Sequence, residues 1–194
     1  MWTLAPTGGP PAGRGASRHR ILCRARATRA YNRGQSEPGE TALHAPERIT
    51  PKKLADYLEV LTRAVFQSGI SWRVVDAKWD GTREALYHFD PQRLAELTPD
   101  DVDRLAQDQR LIRNRRKIEA TVANAQTMLD LDREFHGFKR YLSSFDDFDA
   151  ESADLVKRFK FLGATGAYYF LHLVGRPVPP HEEWMAAHQP PGRR

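Results

Sequence analysis

From Leu54 onward the apolar positions fall at helical intervals. Leu54, Leu58, Leu61 and Val65 line one face, and Thr50 followed by Pro51 predicts a helix start with proline in the first turn. Gly69 breaks the pattern inside FQSGISW (66–72), which places Ser71 and Trp72 beside a bend. Two short helical pieces are expected at Val74 to Trp79 and Thr82 to Phe89. LTPDDVDRL then supplies Thr98 as N-cap, Pro99 as first helical residue and Asp101 as the acidic partner three places on. Asp100, Asp101 and Asp103 answer the helix dipole better than a metal. RLIRNRRKIEA opens a long helix whose buried stripe is expected at Ile118, Val122, Ala125 and Leu129. Phe135 to Phe148 reads as a short aromatic helix and an acidic loop. A helix from Glu151, an FKFLG turn and an apolar helix ending near Gly175 follow, and three prolines precede a last helix, HEEWMAAH. No stretch sustains the alternation of a strand, so the fold class expected is all-α.

Composition changes this picture in one respect. The chain has a formal charge of +5, yet residues 1–40 hold seven arginines against Glu37 and Glu40. The other 154 residues carry 23 basic and 23 acidic side chains. A polyanion would therefore meet local patches on the folded part, not its total charge. Residues 1–40, rich in Gly, Pro, Ala and Arg, read as a disordered basic arm, with an Arg-rich targeting peptide or an over-extended start as alternatives; residues 41–194 form the helical domain. The single Cys23 excludes an internal disulfide framework and fits a reducing compartment. No apolar run is long enough to span a membrane.

Three stretches carry candidate chemistry. In FKFLGATGAYYFLHLVG (159–175), Gly163 provides a turn position without a Cβ, and the amides near Ala164, Thr165 and Gly166 open a helix, a site suited to phosphate. The alternative is a helix end beside an ordinary core helix. Trp72 is either core packing or a platform on which a base stacks. Arg110, Arg113, Arg115, Arg116 and Lys117 are either a solvated face or a phosphate-facing patch.

Four segments in order resemble the 3-methyladenine DNA glycosylase I family, of the helix-hairpin-helix glycosylase superfamily. They are FQSGISW (66–72), FDPQRLAELTPDDVDRLAQD (89–108), IRNRRKIEATVANA (112–125) and KRFKFLGATGAYYF (157–170). The resemblance implies a two-lobed helical fold with a cleft facing duplex DNA and no cofactor. A damaged nucleotide would be flipped into a pocket and its glycosidic bond hydrolysed without a lysine nucleophile. It places the hairpin on residues 160–165 and the pocket tryptophan at Trp72. Gln67, Ser71 and Trp72 would line the pocket; Lys157, Lys160, Gly163 and Thr165 would grip phosphate; Arg113, Arg115 and Arg116 would steer or grip elsewhere. It further implies a cytoplasmic monomer, nucleoid-associated in a bacterium.

The departures from the family pattern bear on chemistry. The family's pocket glutamate falls at Ala64, and its N-terminal tyrosine, histidine, aspartate and tryptophan motif has no counterpart in residues 1–50. Of its zinc ligands only His181 is matched, and Met185 stands where the C-terminal cysteine belongs, so no metal is expected. Glu182 and Glu183 lie 19 and 20 residues after Gly163 and are the candidate replacement carboxylates; the alternative is that both simply favour a helix N-terminus. The second functional reading is a catalytically weak or inactive DNA-binding protein of the same fold.

Overall fold

Leu58, Leu61, Val65 and Phe66 are fully or almost fully buried along helix α1 (Leu54–Gln67), the element on which the core is built. The structure, a computed structural model, describes residues 47–188; the arm at 1–40, Cys23 and the first residues of the domain expected from 41 lie outside them. Helix α1 starts later than Thr50–Pro51 suggests. The Asp56 carboxylate accepts the Lys52 and Lys53 N–H groups at 2.7 and 3.1 Å, which fixes the first turn at Leu54.

Helices α2 (Trp72–Ala77) and α3 (Trp79–Ala85) follow, divided at Lys78. The second expected piece does not reach Phe89 as a right-handed helix. Tyr87, His88 and Phe89 form a single tight turn with φ of 51, 53 and 58°. Left-handed backbone costs roughly 1–2 kcal/mol per residue. The fully buried Phe89, stacked on Trp79 with ring centroids 5.4 Å apart, offsets that strain.

Next come α4 (Pro91–Ala95), α5 (Pro99–Leu105), α6 (Arg115–Glu134), α7 (Phe138–Leu142), α8 (Phe148–Arg158), α9 (Ala164–Leu173) and α10 (His181–Ala187). Thr98 caps α5 as its sequence predicts: its hydroxyl accepts the Asp101 N–H at 3.3 Å and Asp101 accepts the Thr98 N–H at 2.9 Å. Helix α8 begins three residues before Glu151 because Asp147 accepts the Ala150 N–H at 2.8 Å. Helix α6 packs on α1, α4 and α5, and α9 packs on α1 and α8. The described residues contain no strand, and the fold is all-α. None of their helices is long and apolar enough to cross a membrane.

The buried stripe of α6 differs from the expected one. Ile118 and Ala125 are fully buried, but Val122 and Leu129 are only half-buried. Their places are taken by Lys117, Thr121, Asn124, Met128 and Leu131. Three of these are polar, so hydropathy alone points the helix the wrong way.

Candidate functional site

The hairpin joins α8 to α9 through residues 159–163. Its left-handed residue is Phe161, with φ of 58°, and not Gly163, whose φ of −93° any residue adopts. Among the described residues nothing lies within 4 Å of a Cβ built on Gly163, so neither its conformation nor their packing requires glycine there. Asn124, fully buried in α6, brackets the turn: its side chain accepts the Lys160 N–H at 2.7 Å and donates to the Lys160 carbonyl at 3.1 Å. No side chain caps α9, and its first internal bond is Ala167 N–H to the Gly163 carbonyl at 2.9 Å. The amides of Ala164, Thr165 and Gly166 therefore stand at the positive end of the helix without an acceptor among the described residues.

The bend before α2 is held from the opposite side. Lys117 is buried rather than facing outward, and its ammonium donates to the carbonyls of Val65 and Ser68 at the end of α1. Burial pushes its pKa down. Gly69 makes the bend with φ of 76°, and Trp72 follows, 43% exposed, its ring edge-on to Tyr169 at 5.0 Å. Burial, with Tyr168 beside it, pushes the Tyr169 phenol up, so its hydroxyl stays protonated.

Two openings meet at this aromatic pair. One is a cavity of about 550 Å³ bordered by Glu47, Asp56, Glu59 and Asp76, with Arg63 and Arg83. The other is a cleft of about 360 Å³ lined by residues 163–166 and Gly69. Ala64, Gln67, Trp72 and Tyr169 line both. At Gly166 a Cβ would meet Leu162 Cδ1 of the hairpin turn at a tight 3.0 Å and Ala64 Cβ of α1 at 3.7 Å, an ordinary contact.

The expected site residues divide accordingly. Gln67 and Trp72 line both openings, and Gly163 and Thr165 line the cleft. Ser71 is exposed at the start of α2 and lines neither. Lys157 and Lys160 are exposed at the end of α8 and in the turn after it. Arg113 and Arg116 are exposed, with no carboxylate paired to them among the described residues, whereas Arg115 is bonded to Asp103 and Glu119. Arg110 is likewise paired with Asp108 at 2.6 Å. Glu182 and Glu183 are exposed in the first turn of α10 and line neither opening. Glu59 and Tyr169 are not among the residues the sequence singles out, and Lys117, expected in the basic cluster, faces inward instead. Glu59 shares a face of α1 with Arg63 and Gln67 at four-residue intervals, a spacing that could have drawn attention to it.

The residues present do not fit a structural zinc. No group of three or more His, Cys, Asp or Glu among the described residues could hold a metal. At the positions in question Met185 Sδ accepts the Tyr169 hydroxyl at 3.8 Å, and His181 lies against Tyr169 with ring centroids 5.8 Å apart. Trp184 is stacked between Tyr168 at 4.3 Å and His188 at 4.1 Å, and this aromatic column ties α10 to α9.

The sequence and the fold both have recognisable relatives among known proteins. The chain is 33% identical over 130 residues to DNA-3-methyladenine glycosylase 1 of Escherichia coli (strain K12), covering 56% of this chain and 70% of that protein. The DNA-3-methyladenine glycosylase of Haemophilus influenzae matches with the same identity and coverage. Among solved structures, 3-methyladenine DNA glycosylase I from Staphylococcus aureus superimposes with a TM-score of 0.61 at 26% identity, over 73% of this chain and 87% of that one. The sequence model of the methyladenine glycosylase family matches residues 36–154, a span that takes in Trp72 and the start of α6. With the family model, the relatives and the fold in agreement, the chain belongs to the methyladenine glycosylase family.

Proposed function

We propose that this protein is a monofunctional DNA glycosylase that removes alkylated, 3-methyladenine-like purines from duplex DNA by hydrolysing the N-glycosidic bond of an extruded nucleotide. One observation carries the reading: Gln67 and Trp72 line both the cleft at the α9 N-terminus and the acidic cavity. The uncapped amides of α9 suit a backbone phosphate. The carboxylate-rich cavity repels phosphate and suits a base that is cationic or rich in N–H donors. A nucleotide whose phosphate rests in the cleft would thus bring its base to the aromatic pair. The open space around Gly163 lets a strand approach the backbone closely.

The chemistry follows from the substrate. An N-alkylated purine carries positive charge, so the exposed face of Trp72 attracts it and its bond to the sugar is weakened before any enzyme acts. Extrusion costs a few kcal/mol, least for a damaged base, and stacking recovers part of that. Among the described residues no lysine lines either opening, which supports water as the nucleophile over an amine. On this reading the protein acts as a cytoplasmic monomer beside the DNA.

The test is release of free base from duplexes carrying 3-methyladenine, 7-methylguanine, hypoxanthine or uracil. Free alkylated purine with an abasic product is expected. A second reading, a DNA-binding protein without excision, is favoured by the methyl group of Ala64 at the family's glutamate position. Salt-sensitive duplex binding with no abasic product would decide for it.

A further inference from the structure

The cavity beside Trp72 holds four carboxylates against two guanidiniums, and their surroundings separate them. Asp56 belongs to the N-terminal turn of α1, where its Oδ2 accepts the N–H groups of Lys52 and Lys53 and its Oδ1 has no hydrogen-bond partner among the described residues. Asp76 is exposed and paired with Arg63 at 2.6 Å. Glu47 is exposed on the segment ahead of α1. Of the four, only Glu59 accepts from a buried side-chain donor. Its Oε1 accepts Trp79 Nε1–H at 2.9 Å and Arg83 Nε–H at 3.1 Å, with Arg83 Nη2 also bonded to it. Its Oε2 has no hydrogen-bond partner among the described residues, and the side chain is 22% exposed. Trp79 is buried and stacked on Phe89, so the donor that orients the carboxylate is itself fixed. Charge-assisted bonds concentrated on one oxygen hold the group in one orientation and leave the other oxygen to accept.

We infer that Glu59, clamped by Trp79 and Arg83, is the specificity-determining carboxylate that reads the positive charge and N–H donors of the extruded purine. It supplies from five residues earlier on α1 what Ala64 cannot. The inference rests on the glycosylase reading above. Trp72 can stack on any base, because every base has a π face. A fixed carboxylate favours the cationic purine over its neutral counterpart, which is the discrimination that a glycosylase for alkylated bases needs.

The test uses the full chain and two probes, 3,9-dimethyladeninium, a permanent cation, and 9-methyladenine, its neutral counterpart. Binding is followed by tryptophan fluorescence, and the folded state of each variant by thermal unfolding. The wild-type chain is expected to prefer the cation by about tenfold or more. Glu59→Gln, whose amide oxygen still accepts from Trp79, and Glu59→Met should lose most of that ratio while retaining affinity for the neutral purine. An unchanged ratio in either folded variant overturns the assignment, as does a wild-type chain with no preference. The ratio is read without bond cleavage. A wild-type chain that shows the Glu59-dependent preference yet releases no base from alkylated DNA supports the assignment and overturns the excision reading instead.

Discussion

The carboxamide of Asn124 grips both backbone groups of Lys160, accepting its N–H at 2.7 Å and donating to its carbonyl at 3.1 Å. A side chain buried in the middle of α6 thereby fixes the turn whose amides face the cleft. Asn124→Ala removes both bonds and is expected to destabilise the fold by about 1–3 kcal/mol in urea melts. Because the turn would lose its anchor, duplex binding should weaken more than binding of a free purine at Trp72. Equal loss of the two would show that Asn124 supports the core and not the hairpin in particular.

The α5 cap sets an acid-side dependence of stability. Hydrogen bonds from Thr98 and from Arg104 lower the Asp101 pKa from 3.8 to about 2. A carboxyl whose folded pKa is depressed contributes stability that is present above the unfolded value and is lost as pH falls through the folded one. Melting temperature should therefore drop between about pH 4 and pH 2, and Asp101→Asn should flatten that part of the profile. A variant profile parallel to wild type over this range would remove Asp101 from the account.

Trp184 ties α10 to α9 through its stack on Tyr168. It is 5% exposed and stacked between Tyr168 and His188. Trp184→Ala is expected to cost about 3–5 kcal/mol and to release α10 from α9. Chelator treatment of the wild-type protein should leave its melting temperature unchanged. A fall in melting temperature on chelation would restore a metal to the fold.

The arginines of the α6 start can be ranked by what they already touch. Arg115 is held by Asp103 and Glu119, while Arg113 and Arg116 have no paired carboxylate among the described residues. Arg113→Ala and Arg116→Ala should each weaken duplex binding and lower the slope of log K against log salt by about 0.9. Arg115→Ala should change the slope little. A loss of slope confined to Arg115 would place the phosphate path elsewhere.

Much of this was legible in the sequence, for physical reasons. The Thr98–Pro99–Asp101 start and the apolar period of α1 are local signals, and the structure repeats them. The hairpin turn could be located at 159–163, but not which residue bends it, because a left-handed Phe161 violates the usual preference for glycine. Lys117 and Asn124 were hidden for a related reason. A buried polar side chain answers partners distant in sequence, here the end of α1 and the turn at Lys160, and hydropathy has no term for them. Glu59 escaped notice because its partners Trp79 and Arg83 reach it only once α3 is folded against α1.

The division between Trp72 and the glutamates of α10 gives the sharpest test of where the chemistry lies. Trp72 borders both openings and Gln67 lies beside it, whereas Glu182 and Glu183 are exposed and border neither. Stacking on a base is worth about 1–3 kcal/mol, so Trp72→Ala should lower kcat/KM for base release by roughly tenfold to a hundredfold. On the proposed reading Glu182→Gln and Glu183→Gln should leave it at the wild-type value, since both carboxylates lie outside the openings that would hold the reacting nucleotide. A strong loss in either glutamate variant, with Trp72→Ala silent, would move the reacting nucleotide toward α10. Single-turnover measurement at saturating enzyme separates the two cases, because it reports the chemical step after the duplex is bound.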